Sequence, residues 1–436
     1  MRTSKIGLKK KVSSVVFWSI ISAAFIGPGT VTTAAKSGSE FGLTLLWALV
    51  FSTVATIFLQ ESAARLTLGA DKNLGEIIKD KFRHSRFIRL SVFICIAFGC
   101  AAYQTGNVLG AVSGLELISP GNSGAFTLAV GLIAAFFLWR GSFRMVANGL
   151  GLIVAFMGAA FLIVAIHSRP VFSELLSGAF VPYVDEASLL LTIGLIGTTI
   201  VPYNLFLASG ISHGQTIQEM RWGIGIAVAI GGIISMGILV AGTQLSGDFE
   251  FVRLANTLAE RSGPWARNLF SLGLSAAGIT SAITAPFATA VVAKSLFEKP
   301  GQDRWSFHSL SFRSVWAVIL SIGMVFSLLK VQPIPAIILA QVINGILLPV
   351  VVFFLLILIN DHEILPSTMR HGPVINLLLI AIFSIVAFLG FNGLGNAFIQ
   401  TTGLRINSYT VRIGAAVCAL VMAAITFIRI IRKPVK

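Results

Sequence analysis

Charge is the scarcest commodity in this chain. Only 11% of its 436 residues are Asp, Glu, Lys or Arg, and the acidic ones number 17. Soluble domains carry about 25% charged residues, so too little charge is present to cover a water-facing surface, and mean hydropathy is +0.89. Cysteine is nearly absent as well: Cys95, Cys100 and Cys418 sit singly inside apolar runs, which excludes a disulfide framework and metal-ligand spacing. The six histidines, His84, His167, His213, His308, His362 and His371, fall at the ends of apolar runs or between them. No Gly-x-x-x-x-Gly-Lys-Ser/Thr loop occurs, so nucleotide hydrolysis within this chain is excluded as a driving force, and no cofactor is implied.

What the chain has instead is 56% hydrophobic residues, arranged in runs close to the roughly 20 residues that cross a bilayer as a helix. Twelve spans are predicted: 14–35, 43–65, 88–112, 124–139, 146–167, 188–212, 222–242, 268–293, 314–330, 335–359, 374–392 and 408–430. The net charge of +15 is spread over short clusters between spans, not along one stripe, which argues against nucleic acid as a partner. With the N-terminus placed in the cytoplasm, 24 of the 32 Lys and Arg fall on the cytoplasmic side. The positive-inside rule then puts both termini in the cytoplasm of a multi-pass inner (plasma) membrane protein, with the lipid bilayer as its solvent. No small-residue cleavage site precedes a polar start after the first apolar stretch, so that stretch is expected to remain as a membrane helix. Residues 73–82 mix apolar and charged side chains at helical spacing and read as a short interfacial helix.

Two spans are interrupted near their middles. Span one carries Gly27-Pro28-Gly29-Thr30, and span six carries Gly197-Thr198-Thr199-Ile200-Val201-Pro202-Tyr203-Asn204. Proline lacks an N–H and cannot continue the helical ladder. Spans one and six each open a set of five, and because five is odd the second set enters the membrane from the other side. Interrupted helices at matching places in inverted halves point to a transporter site at the bilayer midplane. Carbonyls of Phe25, Ile26, Gly27, Thr198, Thr199 and Ile200, and N–H groups of Gly29, Thr30, Tyr203 and Asn204, are left over at such breaks. Carbonyls suit a cation, and N–H groups suit an anionic oxygen.

Polar side chains within spans are few. Glu61 stands one helical turn from Arg65, the spacing of an ion pair. Gln104, Asn107, Gln341 and Asn344 are amides in apolar helices and need partners there. They either bond helix to helix or face the cavity between the breaks, where with Thr30, Thr198 and Asn204 they would form a solute-binding shell.

On these residues the chain resembles the Nramp family of proton-coupled divalent-metal transporters. The likeness covers most of spans one to ten: the two breaks, Gly42, Leu45-Leu46-Trp47, Gln60-Glu61-Ser62-Ala63-Ala64-Arg65-Leu66, Ser275-Ala276-Ala277-Gly278-Ile279-Thr280-Ser281, Gln341-Val342 and Leu348-Pro349. The resemblance implies an all-α, LeuT-type 5+5 inverted repeat in one transmembrane domain spanning 1–436. Its repeats are at about 14–167 and 188–359, with accessory helices at 374–392 and 408–430. The implied activity is secondary transport of a divalent cation (manganese, iron or hydrated magnesium), not enzymatic turnover. The implied substrate-binding set is Gly27, Gly29, Thr30, Thr198, Thr199, Val201, Tyr203, Asn204, Gln104, Asn107, Gln341 and Asn344.

Four departures bear on the chemistry. The family's Asp-Pro-Gly-Asn is Gly27-Pro28-Gly29-Thr30 here, and its Met-Pro-His-Asn is Val201-Pro202-Tyr203-Asn204. The positions of its two acidic residues for proton movement fall at Gln104 and Asn107, and Ala208 stands where a second span-six His is expected. None of these side chains carries a proton near neutral pH. A neutral, oxygen-lined site fits a hydrated hard cation better than a bare transition metal. It also fits a small organic solute such as a zwitterionic amino acid, whose carboxylate would use the half-helix N-termini.

Overall fold

The computed structural model describes residues 10, 13–15, 17–18, 26–141, 144–212, 214–299, 301, 303–402 and 407–431. Among them the regular structure is helical, and eleven helices are long and apolar enough to cross a membrane. In chain order the helices are α1 (Pro28–Phe41), α2 (Leu46–Ala70), α3 (Leu74–Lys81), α4 (Arg86–Glu116), α5 (Ser123–Arg140), α6 (Arg144–His167), α7 (Phe172–Phe180) and α8 (Leu189–Thr199). They continue with α9 (Pro202–Ile211), α10 (Ile217–Gly242), α11 (Phe251–Ser262), α12 (Pro264–Phe297), α13 (Leu310–Leu328), α14 (Pro333–Ile359), α15 (Pro373–Thr402) and α16 (Ser408–Ile431). Spans two to twelve each find their helix, with α8 and α9 together making span six. Most of the first half of span one, Phe25 included, lies outside the described residues. Span one, predicted to end at residue 35, runs further: Pro28 is the first helical residue after the break, where its missing N–H costs nothing, and the half-helix continues to Phe41.

Local chemistry accounts for the boundaries. Asn73 accepts from Glu76 N at 3.0 Å while Glu76 Oε2 accepts from Asn73 N at 2.9 Å, a capping box opening the expected interfacial helix. Thr216 and Glu219 repeat the device at α10. Two short helices, α7 and α11, were not expected. Each is too short to span, and α11 buries only Phe251, Leu254, Ala255 and Leu258 along one face.

Helices cross closely where small residues face each other, the usual means of packing where lipid offers no hydrophobic drive between helices. α4 lies on α12 through Gly114 and Gly278. A methyl on Gly278 would stand 2.6 Å from the Ala111 backbone nitrogen, and one on Gly114 would stand 2.7 Å from the Ser271 carbonyl. The half-helix α1 seats on α10 in the same way, with Gly38 under the Leu239 carbonyl and Gly242 under that of Ala35. A polypeptide layer of α4, α12 and α14 thus stands beside a unit in which α1 rides on α10.

At the basic end of the bundle the Glu61–Arg65 pair expected from spacing is present, at 2.5 Å. It is part of a larger network. Arg221 Nε of α10 reaches the same carboxylate at 2.8 Å. His371, in the connection between α14 and α15, brings Nε2 to 3.4 Å from Glu61 Oε2 and 3.0 Å from Ser62 Oγ. Arg65 also donates to the Met369 carbonyl at 3.3 Å. One carboxylate therefore joins α2, α10 and the 369–371 segment.

Burial, with the Arg65 and Arg221 charges adding to it against the pull of Glu61, pushes His371 down from 6.5 to about 4. The unfolded chain takes up this proton as pH falls through about 6.5, whereas the folded chain takes it up only near 4. The contribution of His371 is therefore intact above 6.5 and drains away between 6.5 and 4. We expect thermal unfolding of the purified protein to show a loss of order 1–3 kcal/mol across that window from this group. His371→Gln should flatten the slope, and an unchanged slope would contradict the assignment.

Candidate functional site

Both breaks are built by proline at the first helical position. Gly27 caps α1 with extended backbone (φ −104°, ψ −176°), and Val31 N donates to its carbonyl at 3.1 Å. In span six, α8 ends at Thr199, Ile200 and Val201 are non-helical, and Pro202 opens α9. Asn204 N donates back to the Val201 carbonyl at 3.0 Å. Several backbone groups expected to face a solute are thus already engaged: Gly27 O and Asn204 N in these turns, and Thr199 O by Thr56 Oγ1 at 3.3 Å; the neighbouring Gly197 O is taken by the Tyr103 hydroxyl at 3.0 Å. The reason is the lack of water at this depth, where an unpaired carbonyl costs several kcal/mol.

The two breaks meet. Thr30 Oγ1 and Thr198 Oγ1 are 2.8 Å apart, both side chains fully buried. Thr199 turns its hydroxyl back onto the Leu195 carbonyl of its own helix at 2.9 Å. Helix α14 wedges against both breaks from one side. The Gln341 side chain lies over Gly29, so close that a methyl there would stand 2.0 Å from Nε2, and its backbone carbonyl would stand 2.2 Å from one on Gly197. Glycine at 29 and 197 is what admits this helix.

From α4, Tyr103 and Gly110 address the breaks, the first through Gly197 and an edge-on contact with the Tyr203 ring (6.0 Å between centroids), the second by seating on Pro28. Asn107, one turn from each, shares their face. Gln104 and Asn344 are placed differently. Gln104 Nε2 donates to the Ala282 carbonyl of α12 at 3.1 Å, with its backbone against Gly323 of α13. Asn344 Nδ2 donates to the carbonyls of Gly99 (3.1 Å) and Ala340 (2.9 Å), tying α14 to α4. These two amides join helices, while Thr30, Thr198, Tyr203, Asn204, Asn107 and Gln341 gather around the breaks.

The gathered residues carry buried polar atoms that no group among the described residues satisfies: Tyr203 Oη, both Asn204 side-chain atoms, Asn107 Nδ2 and Gln341 Oε1. Each such atom costs about 1–3 kcal/mol unless a water or solute bonds it. The set offers oxygens and N–H groups but no charge, and among the described residues no three His, Cys, Asp or Glu converge as metal ligands. Two contributors escaped the sequence reading. Tyr103 was signalled only by its position one turn before Asn107. Ser281 Oγ would stand 3.2 Å from a methyl on Gly27, although its segment already looked family-like.

Comparisons with known proteins now bear on this arrangement. The family described as natural resistance-associated macrophage protein-like (Nramp) matches residues 19–396. The divalent metal cation transporter MntH of Verminephrobacter eiseniae is 25% identical over 406 residues, covering 89% of both chains. The natural resistance-associated macrophage protein 2 homolog of Dictyostelium discoideum is 26% identical over 390 residues, covering 83% of this chain and 60% of that protein. Among solved structures, the Eremococcus coleocola manganese transporter, crystallised with an aromatic bis-isothiourea substituted compound, superposes with a TM-score of 0.77 at 18% identity, over 99% of this chain and 97% of that one. MhsT in complex with L-phenylalanine shares the fold at a TM-score of 0.52 and 15% identity, over 94% and 98%. With interrupted helices at matching places, a LeuT-type architecture and a family match across nearly all its length, this chain belongs to the Nramp family of multi-pass membrane transporters.

Proposed function

We propose that the chain is a secondary transporter of the inner (plasma) membrane, with both termini cytoplasmic, that moves a divalent metal cation in partly hydrated form by alternating access around the two breaks. The observation that carries this reading is the cluster of unsatisfied neutral oxygens and amides about the Thr30–Thr198 contact. Stripping a divalent ion of all its water needs carboxylates or many carbonyls in compensation. Several carbonyls of the breaks are engaged and no carboxylate stands among the gathered residues, so in this reading water stays on the ion. Magnesium, which gives up its waters reluctantly, suits such a lining better than a cation selected by thioether or imidazole. The relatives' names, divalent metal cation transporter above all, support a metal as cargo. In this reading Thr30, Thr198, Asn107, Tyr203, Asn204 and Gln341 contact the hydrated ion, Gly27, Gly29, Thr199 and Val201 shape the backbone around it, and Gln104 and Asn344 hold the surrounding helices.

A zwitterionic organic solute is the competing cargo. It is favoured by one feature: the site offers N–H donors, from Asn107, Asn204 and the first turns of α1 and α9, as readily as oxygens.

Uptake into proteoliposomes of magnesium, manganese and a panel of amino acids separates the readings. The expected result is saturable divalent-cation uptake without acidification of the vesicle interior, because no residue of the site exchanges a proton near neutral pH. Amino-acid uptake with metals silent would transfer the assignment to the organic solute, and acidification in step with uptake would refute the neutral site.

A second test adds back what the site lacks. Gly27→Asp places its new side chain beside Ser281, whose hydroxyl can rotate away, and joined with Thr30→Asn and Val201→Met it supplies a carboxylate, an amide and a thioether. The triple variant is expected to bind manganese about tenfold or more tightly than the parent by calorimetry, the equivalent of about 1.4 kcal/mol. Absence of any gain in a folded variant would count against these positions as the site.

A further inference from the structure

A cavity lies away from the breaks, at the basic end of the bundle between α14, α15 and α16. It is half open, with a volume of about 480 Å³, and its wall changes character from one side to the other. Asn360, His362, Arg370, His371 and Asn376 form a polar side, and Leu377, Ile380, Phe427 and Ile430 form an apolar one. His371 and Asn360 are buried at the inner end, whereas Leu377 (65% exposed) and Phe427 (47% exposed) lie on the outer surface of membrane-crossing helices, where the solvent is hydrocarbon. Pro373 opens α15 and Ile430 stands one residue from the end of α16. The cavity therefore straddles the level at which hydrocarbon gives way to headgroups.

Two polar atoms of this wall are buried without a partner among the described residues, and they are complementary. Arg370 Nε is a charged donor needing an acceptor, and Asn376 Oδ1 is an acceptor needing a donor. Arg370 Nη1 is held against the His362 ring, and Asn376 Nδ2 donates to the His371 carbonyl at 3.3 Å. The nearby carboxylates do not compensate Arg370. Asp361 and Glu363 are each drawn to Lys81 Nζ, at 2.8 and 2.7 Å. Among the described residues of the wall none is acidic.

We propose that this cavity is a binding site for an anionic phospholipid of the leaflet at the basic end, of the phosphatidylglycerol type. The phosphate accepts from Arg370, a headgroup hydroxyl donates to Asn376, and an acyl chain lies along Leu377, Ile380 and Phe427. A guanidinium is the side chain suited to phosphate, and basic pockets between helices on this side are where lipid headgroups are recognised. A hydroxyl serves Asn376 better than an ammonium does, because a second cation next to Arg370 is repelled. Occupancy also reaches the ion network of α2 and α10, because His371 belongs to both the cavity wall and the Glu61 cluster.

The test is thermal unfolding of the delipidated full-length protein in detergent with phosphatidylglycerol, phosphatidylethanolamine or inorganic phosphate added, with native mass spectrometry counting retained lipid. Phosphatidylglycerol is expected to raise the unfolding temperature saturably. Arg370→Gln should weaken that response about tenfold or more, as loss of a charge-assisted pair does. Leu377→Trp, which fills the apolar side and leaves Arg370 in place, should abolish it by a different route. A full response to inorganic phosphate alone would mean an anion site and overturn the lipid. Equal responses to both lipids, or unchanged responses in both variants, would overturn the headgroup assignment and the cavity respectively.

Discussion

In hydrocarbon every backbone N–H and C=O must find a partner within the protein, and the two broken helices are the places where this chain meets that demand by unusual means. Each break ends one set of helical hydrogen bonds before another begins. The loose ends are taken up by side chains from other helices, Tyr103 on Gly197 and Thr56 on Thr199, and by the turns closing on Gly27 and Val201. The threonine pair then links the breaks to each other. These bonds explain why hydroxyls recur at the centre of the bundle. A hydroxyl donates to a stray carbonyl without bringing a charge that would itself need burial.

The treatment of charge follows the same economy. At the basic end Glu61, an acidic residue inside a span, is shared by Arg65, Arg221 and His371. The centre is neutral. A site without a charge of its own compensates full dehydration of a divalent ion poorly, which is why the proposed cargo is a cation that keeps part of its hydration shell, with an organic solute as the competitor. Selectivity would then rest on size and hydrogen bonding rather than on ligand softness.

Close packing makes the centre a mechanical unit. Glycines at 29 and 197 let α14 press Gln341 into both breaks, while Gly38 and Gly242 lock α1 to α10. Any movement of α1 relative to α4 and α12 must therefore carry α10 with it and slide past α14. The Glu61 network joins α2 and α10 to the segment entering α15.

Much of this was legible in the order of residues alone. Apolar runs of bilayer length located the helices, since the requirement that a span satisfy its own backbone is local and periodic. Proline between glycines marked the breaks, because a missing N–H acts wherever the chain is placed. Spacing revealed the Glu61–Arg65 pair, again a matter of one helical turn. What sequence could not decide was the direction in which each amide points. Gln104 and Asn107 are three residues apart, yet one bonds Ala282 and the other shares the face turned to the breaks, and Asn344 holds Gly99 while Gln341 covers Gly29. Arg221 and His371 joining Glu61, and the cavity that Arg370 shares with Phe427, likewise depend on elements that lie far apart in the chain. Composition and periodicity report the environment of a residue along its own helix; which neighbour receives its hydrogen bond is set by how separate helices cross, and only the packed structure contains that information.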